Sequence, residues 1–322
     1  MNNFKEQLND WGHNKVPFLF LIDFELQKPK AWQINEISSA ELLFEINGFS
    51  NAPKEKIEKK ESLKLEVEPS LNSEYKSKFS RVMNYLNRGD SFVTNLTIKT
   101  KIHSKHLLRE LFYLADARYK IWYKERFLVF SPEIFIQIRD QKIFSFPMKG
   151  TIDATIPQAK EKILADQKEL AEHVTIVDLL RNDLSSVASS VKVKRFRYVE
   201  KVKTSDKNLL QISSQIQGNL PLDYSSHIGD ILFSLLPAGS VSGAPKVKTC
   251  QIIQEVEGES RGYYTGIVGY FDGVNLDSGV MIRYIEKAGN DLFFRSGGGI
   301  TTQSNVEAEY QEALDKIYVP IY

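Results

Sequence analysis

Glu169 and Glu172, in Lys168-Glu169-Leu170-Ala171-Glu172-His173, are spaced three residues apart, and so are Glu309 and Glu312, in Glu307-Ala308-Glu309-Tyr310-Gln311-Glu312. At i and i+3 on a helix, the two members of a pair share one face. Hard oxygen donors of this kind suit Mg2+, which takes one or two protein carboxylates and completes its shell with water and substrate. A solvated helix face carries the same pattern, and spacing alone does not choose between the two.

Other segments imitate chemistry without meeting its requirements. Gly239-Ser240-Val241-Ser242-Gly243-Ala244-Pro245-Lys246 has three residues between its glycines and no following Gly-Lys-Ser/Thr, so it is not a phosphate loop. Gly297-Gly298-Gly299 follows a strand pattern but lacks dinucleotide-fingerprint spacing. The five histidines, His13, His103, His106, His173 and His227, show no zinc spacing with Cys250 and read as ordinary surface or core residues. Cys250 has no nucleophile-elbow glycines around it and reads as a structural thiol.

These residues need a scaffold, and the chain is long enough for one. It has 322 residues, with 42 basic and 41 acidic side chains for a formal charge of +1, and 42% hydrophobic residues. That composition is ordinary for a globular enzyme, and it disfavours a membrane protein or a globally basic nucleic-acid binder. The run Val16–Ile22 is far shorter than the roughly 18 residues that cross a bilayer. A single cysteine excludes an intrachain disulfide, and the N-terminus does not read as a signal peptide, so a cytoplasmic location is expected.

Phe18–Phe24 reads as a buried strand and Glu41–Ile46 as a second, closed by Asn47-Gly48. Asn51–Ser62, rich in Lys and Glu, reads as a solvated loop and the best boundary in the chain. Phe79, Val82, Met83 and Leu86 predict a helix over Tyr75–Asn87. Further strands are expected at Phe92–Ile98, Ile121–Phe130, Ile134–Ile138, Val191–Val202, Gly266–Phe271, Val280–Glu286 and Leu292–Ser296, with helices at Pro157–Leu184 and Val306–Ile317. Irregular interleaving with hairpin-like Asn-Gly and Asp-Gly steps predicts an α+β fold with mixed or antiparallel sheets. The cations of Lys192–Lys207 alternate with apolar residues, as on the solvated face of an edge strand.

Five segments occur in a fixed order: Ser131-Pro132-Glu133; Pro147-Met148-Lys149-Gly150-Thr151; Asp178-Leu179-Leu180-Arg181-Asn182-Asp183-Leu184; Pro237-Ala238-Gly239-Ser240-Val241-Ser242-Gly243-Ala244-Pro245-Lys246; and Ser296-Gly297-Gly298-Gly299-Ile300. Together they closely resemble the chorismate-utilising enzymes, from about Tyr75 to Tyr318. The resemblance implies a four-layer α/β/β/α core with two roughly orthogonal, largely antiparallel sheets. It also implies a catalytic domain over residues 75–322, with residues 1–74 a short segment packing on it. Within the family, Lys149 stands where the aminodeoxychorismate-forming branch carries Lys and the anthranilate-forming branch Ala. The water-adding branches use a basic Lys where this chain has Val93. Gln211 replaces a family His, which puts in doubt any elimination step that relies on that residue.

The resemblance therefore implies amination of chorismate at C4, with Lys149 as covalent nucleophile and Glu133 as general acid. Glu172 and Glu312 would hold Mg2+, assisted by Glu169 and Glu309. Arg283 and the backbone of Gly297, Gly298 and Gly299 would receive substrate carboxylates, with Ser240, Tyr264 and Lys316 as further contacts. A nucleophilic Lys149 must be neutral, so a depressed pKa is expected there, and a raised one at Glu133. The chain reads as having no glutaminase segment, so ammonia is expected from a separate glutamine amidotransferase subunit. Anthranilate synthesis is the nearest alternative, and a non-catalytic chorismate-binding regulatory subunit is another.

Overall fold

The computed structural model describes residues 2–55, 65–68, 72–203 and 208–321. The proposed boundary at Asn51–Ser62 falls mostly outside them. In chain order, α1 (Asn2–His13) precedes β1 (Phe18–Ile22), β2 (Lys30–Gln33), β3 (Leu42–Ile46), β4 (Phe49–Ser50), β5 (Glu66–Glu68) and α2 (Asn72–Asn87). There follow β6 (Val93–His103), α3 (Leu108–Leu114), β7 (Tyr119–Tyr123), β8 (Phe127–Ser131), β9 (Ile134–Arg139), β10 (Lys142–Ser145) and β11 (Met148–Asp153). Next come α4 (Ala159–Ala165), α5 (Gln167–Ser185), β12 (Ser189–Lys203), β13 (Asn208–Asn219), α6 (Ile228–Leu235) and β14 (Gly243–Ala244). The chain closes with α7 (Lys246–Glu257), β15 (Ile267–Phe271), β16 (Leu276–Val280), β17 (Tyr284–Ala288), β18 (Asp291–Ile300) and α8 (Val306–Asp315).

The strands form two sheets. One runs β11-β13-β10-β9-β16-β15-β1-β2 with β12 on β13, and the other runs β14-β6-β18-β17-β8-β7-β3-β4 with β5 on β6. Every strand pair among the described residues is antiparallel.

Strand periodicity explains the layering, because successive side chains point to opposite faces. In β1, Phe18, Phe20 and Ile22 enter a core shared with Leu8 of α1, Val177 and Leu184 of α5, and Ile228, Ile231 and Leu232 of α6. Leu19 and Leu21 face the other way and meet Leu42, Phe44, Ile121 and Val129 of the second sheet. That sheet repeats the arrangement: Leu43, Leu128 and Phe130 turn outward onto Leu111 and Phe112 of α3. Leu96 and Ile98 pack with α2, α7 and α8. The order is helix, sheet, sheet, helix, as expected for the α+β class. Each fully buried Phe or Leu contributes about 1.5–3 kcal/mol, so β1, buried on both faces, is a central stabilising element.

Several expected elements differ in detail. The single strand Ile121–Phe130 is the hairpin β7–β8, because Lys124, Glu125 and Arg126 interrupt the apolar run and Glu125 adopts φ 54°. The helix expected over Pro157–Leu184 is broken at Asp166, whose carboxylate accepts from the Glu169 N–H at 3.0 Å and caps α5. The strand Val280–Glu286 is interrupted before β17, and Arg283 has φ 52°. Gly297–Gly299, read as following a strand, lie within β18 and pair with Thr97, Leu96 and Asn95 of β6. Residues before 75, read as a segment laid on the core, supply β1 and β2 to one sheet and β3–β5 to the other. Among the described residues the basic strand β12 pairs with β13 alone and forms an edge. Among the described residues, no helix is long and apolar enough to cross a membrane.

Candidate active site

A cavity of about 440 Å3 opens between the two sheets and α5, a size suited to a small-molecule ligand. Eleven of the residues singled out by sequence line it: Glu133, Lys149, Glu172, Ser240, Tyr264, Arg283, Gly297, Gly298, Gly299, Glu312 and Lys316. Glu169 and Glu309 stand just behind. A Cβ on Gly150 would come within 2.8 Å of a Glu169 carboxylate oxygen, and one on Gly298 within 3.5 Å of Glu309 and 3.7 Å of Glu312. Gly150 sits at φ 83°, where a side chain is strained and would also displace Glu169, whereas Gly298 faces Glu309 and Glu312 at ordinary contact distance.

Lys149 Nζ pairs with Glu172 Oε2 at 2.8 Å. Burial pushes this amine down, but Glu172, Glu169 and Glu312 together outweigh it, and the net shift is upward. The depressed pKa expected from the sequence is therefore corrected: in this state Lys149 is an ammonium held among carboxylates. Ser214 ties together the two backbone segments that carry the pair. Ser214 Oγ hydrogen-bonds His173 Nε2 at 2.6 Å, beside Glu172, while the Ser214 N–H donates to Pro147 O at 2.9 Å, two residues before Lys149. The Ser214 hydroxyl also accepts from the Arg197 N–H at 2.9 Å, and the Arg197 guanidinium donates to the Ile163 and Leu164 carbonyls at the end of α4. His173 is fully buried, and burial, then Arg197 and Lys149, push it down to about 4.

Glu133 precedes β9, where its N–H donates to Ser131 Oγ at 3.1 Å and its carbonyl accepts from Val280 N–H at 3.1 Å. Ser240 Oγ donates to its carboxylate. Burial pushes the Glu133 carboxyl up, against the opposing pull of Ser240 and Lys316, as expected for this position. Burial also pushes the Tyr264 phenol up, so it faces the cavity as a neutral hydroxyl.

The opposite wall is built largely of backbone. The last β17 residue paired with β18 is Tyr284, opposite Arg295, so the glycines extend beyond that neighbour and leave one strand edge uncovered by β17. A Cβ on Gly297 would lie 2.3 Å from the Leu96 carbonyl, which makes glycine obligatory there. Lys316 Nζ donates to Gly297 O at 2.8 Å and pairs with Glu312 at the same distance. The Arg283 guanidinium donates to the Tyr318 hydroxyl. Gln211 lies outside the cavity lining, in register with Thr151 of β11, whereas Val93 lies within it.

Beneath these walls is a buried ion pair that the sequence reading missed. Arg261 donates to Glu257 Oε1 at 2.6 Å, to Val241 O at 2.9 Å and to Asn95 O at 2.8 Å, while Glu257 accepts from Thr97 N–H at 2.9 Å. It thus fastens α7 to β6 and to the loop carrying Ser240. The Lys246 of the glycine-rich segment has a similar role, bonding Asp183 at 2.8 Å and the Leu235 carbonyl at 2.9 Å.

The chorismate binding enzyme family matches residues 12–321 of the chain. The protein belongs to that family. It is 46% identical to an uncharacterised PabA-like protein of Haemophilus influenzae, over 100% of this chain and 97% of that one. It is 33% identical to aminodeoxychorismate synthase component 1 of Escherichia coli, over 76% of this chain and 56% of that protein. The chain thus spans little more than half the length of that relative. Among solved structures, anthranilate synthase component I of Streptococcus pneumoniae aligns with a TM-score of 0.68 at 25% identity, covering 79% of this chain and 58% of that one. This chorismate-utilising enzyme is therefore related to both the aminodeoxychorismate and the anthranilate synthases.

Proposed function

We propose that the enzyme converts chorismate and ammonia to 4-amino-4-deoxychorismate, the precursor of 4-aminobenzoate for folate synthesis. The observation that carries this reading is a lysine at position 149, facing the same cavity as Glu133 and in contact with Glu172. Hydroxide is a poor leaving group, so direct displacement at C4 is difficult. In the proposed route the Lys149 amine attacks C2, the conjugated ring double bonds shift, and the C4 hydroxyl leaves as water with the proton of Glu133. Ammonia then attacks C4, the double bonds shift back, and Lys149 is expelled. Two successive displacements retain configuration at C4.

Glu172 and Glu312 present carboxylate oxygens to the cavity, with Glu169 and Glu309 behind them. Among the described residues no three acidic or histidine side chains are already gathered around one point. The two hard carboxylates, Glu172 and Glu312, suit an ion that takes one or two protein carboxylates and completes its shell with water and substrate, which is the habit of Mg2+. When bound, Mg2+ supplies positive charge that offsets these acids and the ring carboxylate of the substrate. With its acidic neighbours offset, the Lys149 amine feels chiefly burial, which favours the neutral nucleophile.

Val93 lines the cavity and cannot activate water, which disfavours isochorismate formation. Arg283 and the exposed glycine edge are suited to carboxylates, with Ser240, Tyr264 and Lys316 completing the contacts. A separate glutamine amidotransferase would supply the ammonia. Incubation with chorismate, Mg2+ and an ammonium salt tests the assignment. The product should become 4-aminobenzoate only after a lyase is added, and fluorescent anthranilate or isochorismate would overturn it.

A further inference from the structure

We propose that Tyr318, in the turn that follows α8, is the positioning residue that aims Arg283 at a substrate carboxylate. This inference rests on the reading of the cavity as a chorismate site.

Arg283 lines the cavity, yet it sits in no strand and has φ 52°, a backbone conformation uncommon for residues other than glycine. A long, flexible guanidinium side chain needs a partner to hold one orientation. Among the described residues, the side-chain contact partner of Arg283 is Tyr318, not a carboxylate. The guanidinium carbon lies 4.4 Å from the ring centroid, and Nη1 donates to the phenolic oxygen. The charge is thereby oriented by a neutral group and left available to an anion. An acid in the same place would neutralise it.

The turn itself is fixed by its neighbours. Ile317 and Val319 are buried in the core that the second sheet forms with α3, while Tyr318 between them is half-buried and meets Arg283. The Ile317 N–H donates to Leu314 O at 2.9 Å, and Pro320 O accepts from Asp116 N–H at 2.8 Å. Two residues earlier, Lys316 holds Gly297 O and Glu312. One short turn thus braces the guanidinium, the glycine strand and a carboxylate of the cavity. Tyr318 lies behind the lining, so it acts through Arg283.

The test is a double-mutant cycle read in steady-state amination and in direct chorismate binding. Tyr318→Phe keeps the ring and loses the hydroxyl, and it should raise KM for chorismate about tenfold with kcat within about twofold. Tyr318→Leu, which also loses the ring, should raise KM about thirtyfold. In an Arg283→Gln background, Tyr318→Phe should add nothing, because the group it aims is gone. A Tyr318→Phe enzyme with unchanged KM, or equal losses in both backgrounds, overturns the inference. Wild-type enzyme that binds no chorismate overturns this inference and the proposed function together, whereas wild-type binding with an uncoupled Tyr318 overturns this inference alone.

Discussion

The two sides of the cavity are built on opposite principles. On one side, Lys149 and Glu172 face each other at 2.8 Å, and Glu172, Glu169 and Glu312 together hold the Lys149 amine above its usual pKa despite burial. On the other, the edge of Gly297–Gly299 and the Tyr318-braced Arg283 offer hydrogen-bond donors held in place. The first arrangement can move protons and accept a cation. The second can only hold and orient an anion, because peptide N–H groups and a guanidinium keep their character at any physiological pH. Under the proposed function, a site that both breaks a C–O bond and fixes a dicarboxylate needs both kinds of wall. In this protein Lys149 comes from β11 of one sheet and Gly297–Gly299 from β18 of the other.

Substitutions should separate the two sides. Lys149→Ala should reduce kcat for amination by about 10³-fold or more while chorismate binding, by equilibrium dialysis, changes little. A variant with near-normal turnover would remove the chemical role from that side. Glu133→Gln should lower kcat by about 10²–10³-fold. Because burial raises the Glu133 pKa, the acid form persists to higher pH than for an ordinary glutamate. In wild type, kcat should be level below that pKa and fall above it, and Glu133→Gln should lose this limb of the profile.

The foundations can be tested without substrate. Arg261→Met leaves Glu257 buried and unpaired, and should cost about 3–5 kcal/mol in denaturant unfolding. The loss should fall hardest on the loop carrying Ser240, visible as faster amide exchange there. His173 supplies a smaller, pH-dependent effect on the Lys149 side. Its pKa is pushed down to about 4, so the fold favours the neutral ring, and that stability is present above about pH 6.5 and lost as pH falls toward 4. The loss should total about 3 kcal/mol, and His173→Gln should flatten the dependence. Equal acid sensitivity in both proteins would show that this pH dependence does not come from His173.

Much of this arrangement was legible before any coordinates. The short apolar run in Phe18–Phe24 announced a buried strand, and irregular interleaving with Asn-Gly and Asp-Gly steps announced mixed or antiparallel sheets, of which the antiparallel kind is found. Ordered motifs far apart in sequence named residues that meet at one cavity. What escaped depended on neighbours distant in sequence. The Lys149 shift is set by acids on α5 and α8, and no local pattern counts how many converge on one amine. Arg261, in Glu259-Ser260-Arg261-Gly262, reads as a charged turn, and only tertiary packing makes it a buried anchor. The hairpin at Lys124-Glu125-Arg126 and the cap at Asp166 were missed because a brief polar interruption looks the same inside an element as between two.

Mass spectrometry of enzyme quenched with chorismate and Mg2+ in the absence of ammonia tests the chemistry at Lys149 most directly. The peptide containing Lys149 should carry the mass of chorismate less one water, and added ammonia should discharge it as 4-amino-4-deoxychorismate. Enzyme that aminates chorismate while this peptide stays unmodified at every quench time would contradict the covalent route.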